Sequence, residues 1–168
     1  MMSGALVDRV AAAAGPWSDL YGGSSVLSSG IEFLHLAGLL VAGGLALSFD
    51  RAALRLRSRT SVEQMRFAVE LSAVHRPVLI ALAIVVASGF ALALADAQVM
   101  LGSWLFWTKM GLFALLMVNG VLLRRAGGRL QRDPKSAATW RSIERAATRS
   151  TALWITVVLF GVVLTNAS

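Results

Sequence analysis

The sequence predicts an all-α integral membrane protein, an up-and-down four-helix bundle with both termini on the periplasmic side. Three observations carry that expectation. Apolar residues make up 57% of the chain, the charges are gathered into blocks rather than scattered, and four stretches between those blocks are nearly charge-free. A hydrocarbon core about 30 Å thick needs about 20 helical residues at about 1.5 Å each. Residues 26–49, 77–95 and 101–123 meet that length, and 152–165 reaches it if the helix-forming stretch 137–149 continues into it. Backbone groups in lipid must pair within a helix or a closed barrel, and these runs lack the alternation of barrel strands. The expected spans are residues 28–49, 77–96, 102–123 and 149–166 of a single transmembrane domain.

Residues 1–25 read as an N-terminal interfacial segment. Their apolar stretch 10–14 is broken by Gly15-Pro16 and lacks the long hydrophobic region of a cleaved signal peptide. Residues 5–14 are expected to form one short amphipathic helix on the membrane surface, with Trp17 and Tyr21 where aromatic rings favour the headgroup layer. The first connection carries Arg51, Arg55, Arg57, Arg59, Arg66 and Arg76, and the second, from Arg124 to Arg149, carries eight further cations including Lys135. The first thirty residues hold only Arg9, and residues 96–103 hold no cation. Short loops rich in Arg and Lys stay on the cytoplasmic side. Both long loops are therefore expected in the cytoplasm, the chain being a multi-pass protein of a bacterial inner membrane.

That distribution accounts for the formal charge of +7 through topology and anionic headgroups, so no nucleic acid partner is implied. Absence of cysteine excludes disulfides, iron–sulfur clusters and thiol catalysis. Neither a phosphate loop, a dinucleotide fingerprint nor a nucleophile elbow occurs.

Thr60 with Glu63 and Ser61 with Gln64 have capping-box spacing, so a helix should open near Val62 and run to Pro77, which must kink or reset it. Gly127-Gly128 and Asp133-Pro134 signal turns before Ser136 opens the last helix. In the first span Gly38, Ala42 and Ala46 follow His35 at three- or four-residue steps. Small residues let helices approach closely, so this stripe should turn His35 into the bundle.

Lys109 and His35 are the expected functional residues. An ionisable group within a span is costly and usually faces the protein interior at a working site. Each lies about six residues, or about 9 Å, below the outer end of its helix, so they share a layer. Glu32 stands one turn above His35 and is placed to pair with Lys109 or the imidazole. Met110, Trp104 and Trp107 belong to the same level, with Asn119 further inward. Plainer roles exist for each: Lys109 can snorkel to the headgroups, Glu32 can be wet, His35 can be a packing histidine, and tryptophans and methionines commonly serve as belt or packing residues. A haem held between His35 and His75 is disfavoured, because the helical rise puts the imidazoles roughly 20 Å apart along the membrane normal. His75 reads instead as an interfacial contact. Glu32-x-x-His35 matches half of a di-metal carboxylate signature, with no second half.

The segments Leu34-His35-Leu36-Ala37-Gly38, Gly43-Gly44 and Asp50-Arg51, followed by Phe106-Trp107-Thr108-Lys109-Met110, Asn119-Gly120 and Arg124-Arg125, resemble a broad group of small bacterial membrane proteins. The group includes the copper-resistance protein D domain, the HemJ-type protoporphyrinogen oxidases and further small four-helix relatives, which the chain resembles most. The resemblance covers about residues 31–125, and its motifs are short. It implies haem b and redox chemistry in the one type and copper handling in the other, with His35 and Lys109 matching the group's early histidine and lysine. The chain departs from both in lacking the further histidines of a multi-haem cytochrome and a His/Met-rich periplasmic segment.

Three functions follow as expectations. The first is a haem b-associated electron-transfer protein with His35 as metal ligand and Lys109, Glu32 and Met110 completing the cofactor site. The second is a non-enzymatic structural or assembly subunit, whose partners are other membrane subunits or further copies of the chain. The third is copper binding or transport through His35 with Met110 or Met100.

Overall fold

The computed structural model describes residues 4–55, 61–133 and 136–167. Every described element is helical: α1 (Gly4–Gly23), α2 (Ser25–Arg55), α3 (Ser61–Ala95), α4 (Ala97–Gly102), α5 (Trp104–Arg132) and α6 (Ala137–Ala167). Helices α2, α3, α5 and α6 contain windows long and apolar enough to cross a membrane. These four are the expected spans, each helix extending well past its hydrocarbon-length core.

The long helices pack in a ring, α2 against α3 and α6, and α5 against α6 and α3. Their directions follow from residue pairs. His35 near the start of α2 meets Ser88 near the end of α3, and Lys109 near the start of α5 meets Gly161 near the end of α6. Asn119 of α5 bonds Ala146 of α6, completing an up-and-down order. Many large apolar side chains, among them Phe33, Leu40, Ile80, Leu115 and Ile155, face outward. In water such a surface would aggregate; facing acyl chains it needs no cover. Hydroxyls on these helices bond back to carbonyls one turn earlier, Ser48 to Gly44 at 2.8 Å and Thr156 to Ala152 at 2.8 Å. Such back-bonding leaves no hydroxyl unsatisfied where lipid offers no partner.

Two buried clusters hold the bundle. Ala42, Ala81, Leu82, Leu116 and Trp154 pack mid-bundle. Ala53, Phe67, Ala126, Leu130, Trp140, Ile143 and Ala147 pack at the end away from α1, where Phe67 lies 6.1 Å from Phe49 and 6.2 Å from Trp140 between ring centres. The small-residue stripe is real: Gly38 and Ala42 are buried, and Ala46 packs on the mid-bundle cluster.

Two local expectations need correction and a third is narrowed. The N-terminal helix spans Gly4–Gly23 and passes through Pro16, because its outer half is anchored: Trp17 Nε1 donates to the Ala91 carbonyl at 2.9 Å and Ser18 Oγ to the Ala95 carbonyl at 2.7 Å. The second bond satisfies one of the orphan carbonyls that end α3. Trp17 thus docks α1 onto the bundle end instead of merely floating at an interface. Helix α3 is continuous through Pro77, so of the two expected effects the reset does not occur, its neighbours Val78, Ala81 and Leu82 being held by the mid-bundle cluster. Gly127-Gly128 makes no turn but continues α5 to Arg132, because Ala126 and Leu130 on either side are locked into the lower cluster. Between α3 and α5 lies a short helix, α4, over Ala97–Gly102.

Ser136 opens the last helix as expected, its Oγ accepting the Thr139 amide at 3.3 Å in the manner of an N-cap. Asp133 ends α5. Pro134, Thr60 and the side chains of Ser61, Gln64 and His75 lie outside the described residues.

Candidate functional site

His35 is half-buried on α2 and faces α3. Its Nδ1 lies 3.0 Å from Ser88 Oγ. Ser88 Oγ in turn donates to the Ile84 carbonyl at 2.6 Å, one turn back on α3. A serine hydroxyl has one proton; in the arrangement where it goes to Ile84, Ser88 meets the imidazole as acceptor, Nδ1 carries the ring proton and Nε2 keeps its lone pair. Gly89 makes the approach possible: a Cβ there would stand 3.2 Å from His35 Cε1.

Lys109 turns inward rather than toward the headgroups. It is partly buried, and its Nζ lies 3.6 Å from where a Cβ on Gly161 would be. His35 thus stands on the α2/α3 side, against Ser88 and Gly89, and Lys109 on the α5/α6 side, against Gly161.

The remaining predicted residues do not close around them. Glu32 is exposed and pairs neither with Lys109 nor with the imidazole; its Oε1 accepts the Tyr21 hydroxyl at 3.0 Å. Partial burial and then the Glu32 carboxylate hold the Tyr21 phenol above its ordinary range. Met110 is 37% exposed, and Trp104 and Trp107 are exposed too, Trp107 Nε1 donating to the Leu101 carbonyl at 3.0 Å. Both tryptophans lie in the first turns of α5 and face outward. Among the described residues no group of three or more His, Asp or Glu side chains gathers to hold a metal ion. The half-signature Glu32-x-x-His35 therefore builds no di-metal site here.

Two further polar residues are buried. Asn119, only 4% exposed, donates through Nδ2 to the Ala146 carbonyl at 2.8 Å and ties α5 to α6, while its Oδ1 has no partner among the described residues. Asn119→Ala should destabilise the bundle by about 1 kcal/mol, a typical interhelical hydrogen bond in a membrane. Asn119→Leu should cost less, because it removes the unpaired oxygen along with the donor; unfolding in detergent with rising dodecyl sulfate compares the two. Asp50 is the second. It lies just past the expected first span, residues 28–49, yet is 1% exposed, because α2 continues to Arg55 and carries it inside.

No protein-family model matches the chain, and neither a curated protein nor a solved structure does.

Proposed function

We propose that the chain is a bacterial inner-membrane protein that binds haem b near the periplasmic face and serves electron transfer, with His35 as the axial ligand. The observation that carries this reading is the 3.0 Å contact of His35 Nδ1 with Ser88 Oγ, a hydroxyl itself bonded to the Ile84 carbonyl. Histidines that ligate metals almost always give their other ring proton to a nearby acceptor, which orients the ring and raises its basicity. The Ser88 hydroxyl, itself held by Ile84, is such an acceptor. One histidine is enough for an axial position, so the donor chemistry fits a single haem. The inward ammonium of Lys109 suits an anionic propionate, whose burial an opposite charge would offset. Bound there, haem would supply one-electron redox chemistry. The arginine-rich connections put the opposite end of the bundle in the cytoplasm under this reading.

The test is optical. Protein expressed with ample haem should purify with a Soret band at about one haem per chain, and His35→Ala should lose it. Ser88→Ala should keep the band but shift it or weaken haem retention, since the ring loses only its orienting partner. A colourless wild-type protein would reject the reading, and copper found by metal analysis in its place would point to the cuprous alternative.

A second reading, a structural or assembly subunit, draws on the seam at Gly38, where a Cβ would sit 2.9 Å from Val85 Cγ2 and 3.2 Å from the Ala81 carbonyl oxygen. Under that reading His35→Ala and Lys109→Met are silent, whereas helix-interface changes are not.

A further inference from the structure

Asp50 lines a cavity of about 470 Å³ between α2, α3, α5 and α6, at the end of the bundle away from His35. The volume falls within the range of pockets that take small organic ligands, about 300–1,000 Å³. The walls are largely apolar, supplied by side chains such as Phe49, Val78, Leu82, Leu116 and Trp154. Against them stands one carboxyl group. Thr151 Oγ1 donates to Asp50 Oδ2 at a long 3.5 Å and the buried Ser150 hydroxyl stands beside the same carboxyl, while Oδ1 makes no hydrogen bond among the described residues.

A carboxyl that is 1% exposed ordinarily has both oxygens engaged, because an unmade hydrogen bond in a dry setting is costly. No described basic side chain forms an ion pair with it. Arg124 lines the same cavity but is itself exposed, and its charge is available to an anionic group on a ligand. The missing partner is a donor carried by something that also covers apolar wall.

We propose that this cavity binds an amphiphile with a primary ammonium head, the ammonium donating to Asp50 Oδ1 and the apolar body lying along Val78, Leu82 and Trp154. A neutral hydroxyl head would satisfy one hydrogen bond but leave the carboxylate charge uncompensated, so the cationic head is preferred. The chemistry is shared by aminophospholipids of the surrounding leaflet and by soluble lipophilic amines. The proposal is independent of haem at His35.

Two matched comparisons test it on the purified full chain. Fluorescence titration compares 1-naphthylmethylamine, protonated at neutral pH, with 1-naphthalenemethanol, its neutral counterpart of the same shape. Native mass spectrometry from nanodiscs compares retention of phosphatidylethanolamine with phosphatidylcholine, whose trimethylated head cannot donate. Wild type should prefer the ammonium form at least tenfold in one comparison or both, and Asp50→Asn should abolish the preference. Preference among lipids identifies a leaflet source, and preference confined to the naphthyl pair identifies a soluble amine. Gly120→Phe, at a lining position with open space beside its Cα, keeps Asp50 and should weaken ammonium binding at least tenfold by filling the cavity. That second variant decides the matter if Asp50→Asn does not fold. Equal binding of charged and neutral forms, a preference that survives Asp50→Asn, or undiminished binding in Gly120→Phe would each overturn the proposal.

Discussion

Gly38→Leu should separate α2 from α3 and cost about 3 kcal/mol or more of stability. A Cβ at this position already stands 2.9 Å from Val85 Cγ2 and 3.2 Å from the Ala81 carbonyl oxygen. The Val85 methyl is itself buried, and Ala81 offers backbone, which cannot swing aside. Overpacking a closed interface typically costs about 1–3 kcal/mol, and leucine adds three further carbons beyond the first clash. Gly38→Ala should cost less, about 1–2 kcal/mol, because alanine returns up to about 1 kcal/mol of helix propensity. Gly44 on the same helix supplies the control, since nothing lies within 4 Å of its would-be Cβ. Gly44→Ala should be neutral or slightly stabilising. Thermal unfolding in detergent followed by circular dichroism orders the three variants. Should Gly38→Leu melt with wild type, the α2/α3 seam is not as close as described.

Trp154→Ala should be the most damaging truncation, at about 2–3 kcal/mol. Trp154 is nearly fully buried, packs with Ala42, Ala81, Leu82 and Leu116, and lays its ring 3.4 Å from where a Cβ on Gly43 would be. In a soluble protein the same change costs about 3–5 kcal/mol, combining lost transfer from water with the void left behind. In a bilayer the transfer part shrinks, because an unpacked helix meets acyl chains and not water. What remains is the loss of contacts on an unfilled void. Trp154→Phe, which keeps an aromatic ring against Gly43, should lose less than about 1.5 kcal/mol. A dodecyl sulfate titration that ranks the two variants equally would show that ring packing at Gly43 does not support the bundle.

Much of this architecture was legible in the residue order, and the places where it was not share a cause. The four spans follow from runs of apolar residues whose lengths match a bilayer, a requirement imposed by solvent and not by neighbours. The stripe Gly38, Ala42 and Ala46 pointed His35 inward for a similar reason, since close helix approach needs small side chains. Pro16 and Gly127-Gly128 misled because their local preference to break a helix is worth at most about 3 kcal/mol each. Docking of Trp17 and Ser18 on α3, and of Leu130 and Trp140 in the lower cluster, outweighs it. Ser88 escaped notice as the imidazole's acceptor, although a lone hydroxyl beside Gly89 in an apolar run was its only available signal. Asp50 escaped because span ends were judged from hydropathy, which places a charged residue at a boundary. The helix continues, and its last two turns bring the carboxyl into the interior.

The account of the site rests on His35 and Lys109 reaching the same interior level from helices that are not neighbours in sequence. The chain contains no cysteine, so thiols introduced by His35→Cys and Lys109→Cys in one protein are the sole targets of a short bifunctional maleimide. In intact membranes the double variant should form the intramolecular link, seen by mass spectrometry as a joined pair of peptides, at several times the yield of a Phe33→Cys/Lys109→Cys control, because Phe33 faces outward. A yield no greater than that control, with both single thiols still reactive, would mean that the two side chains do not converge.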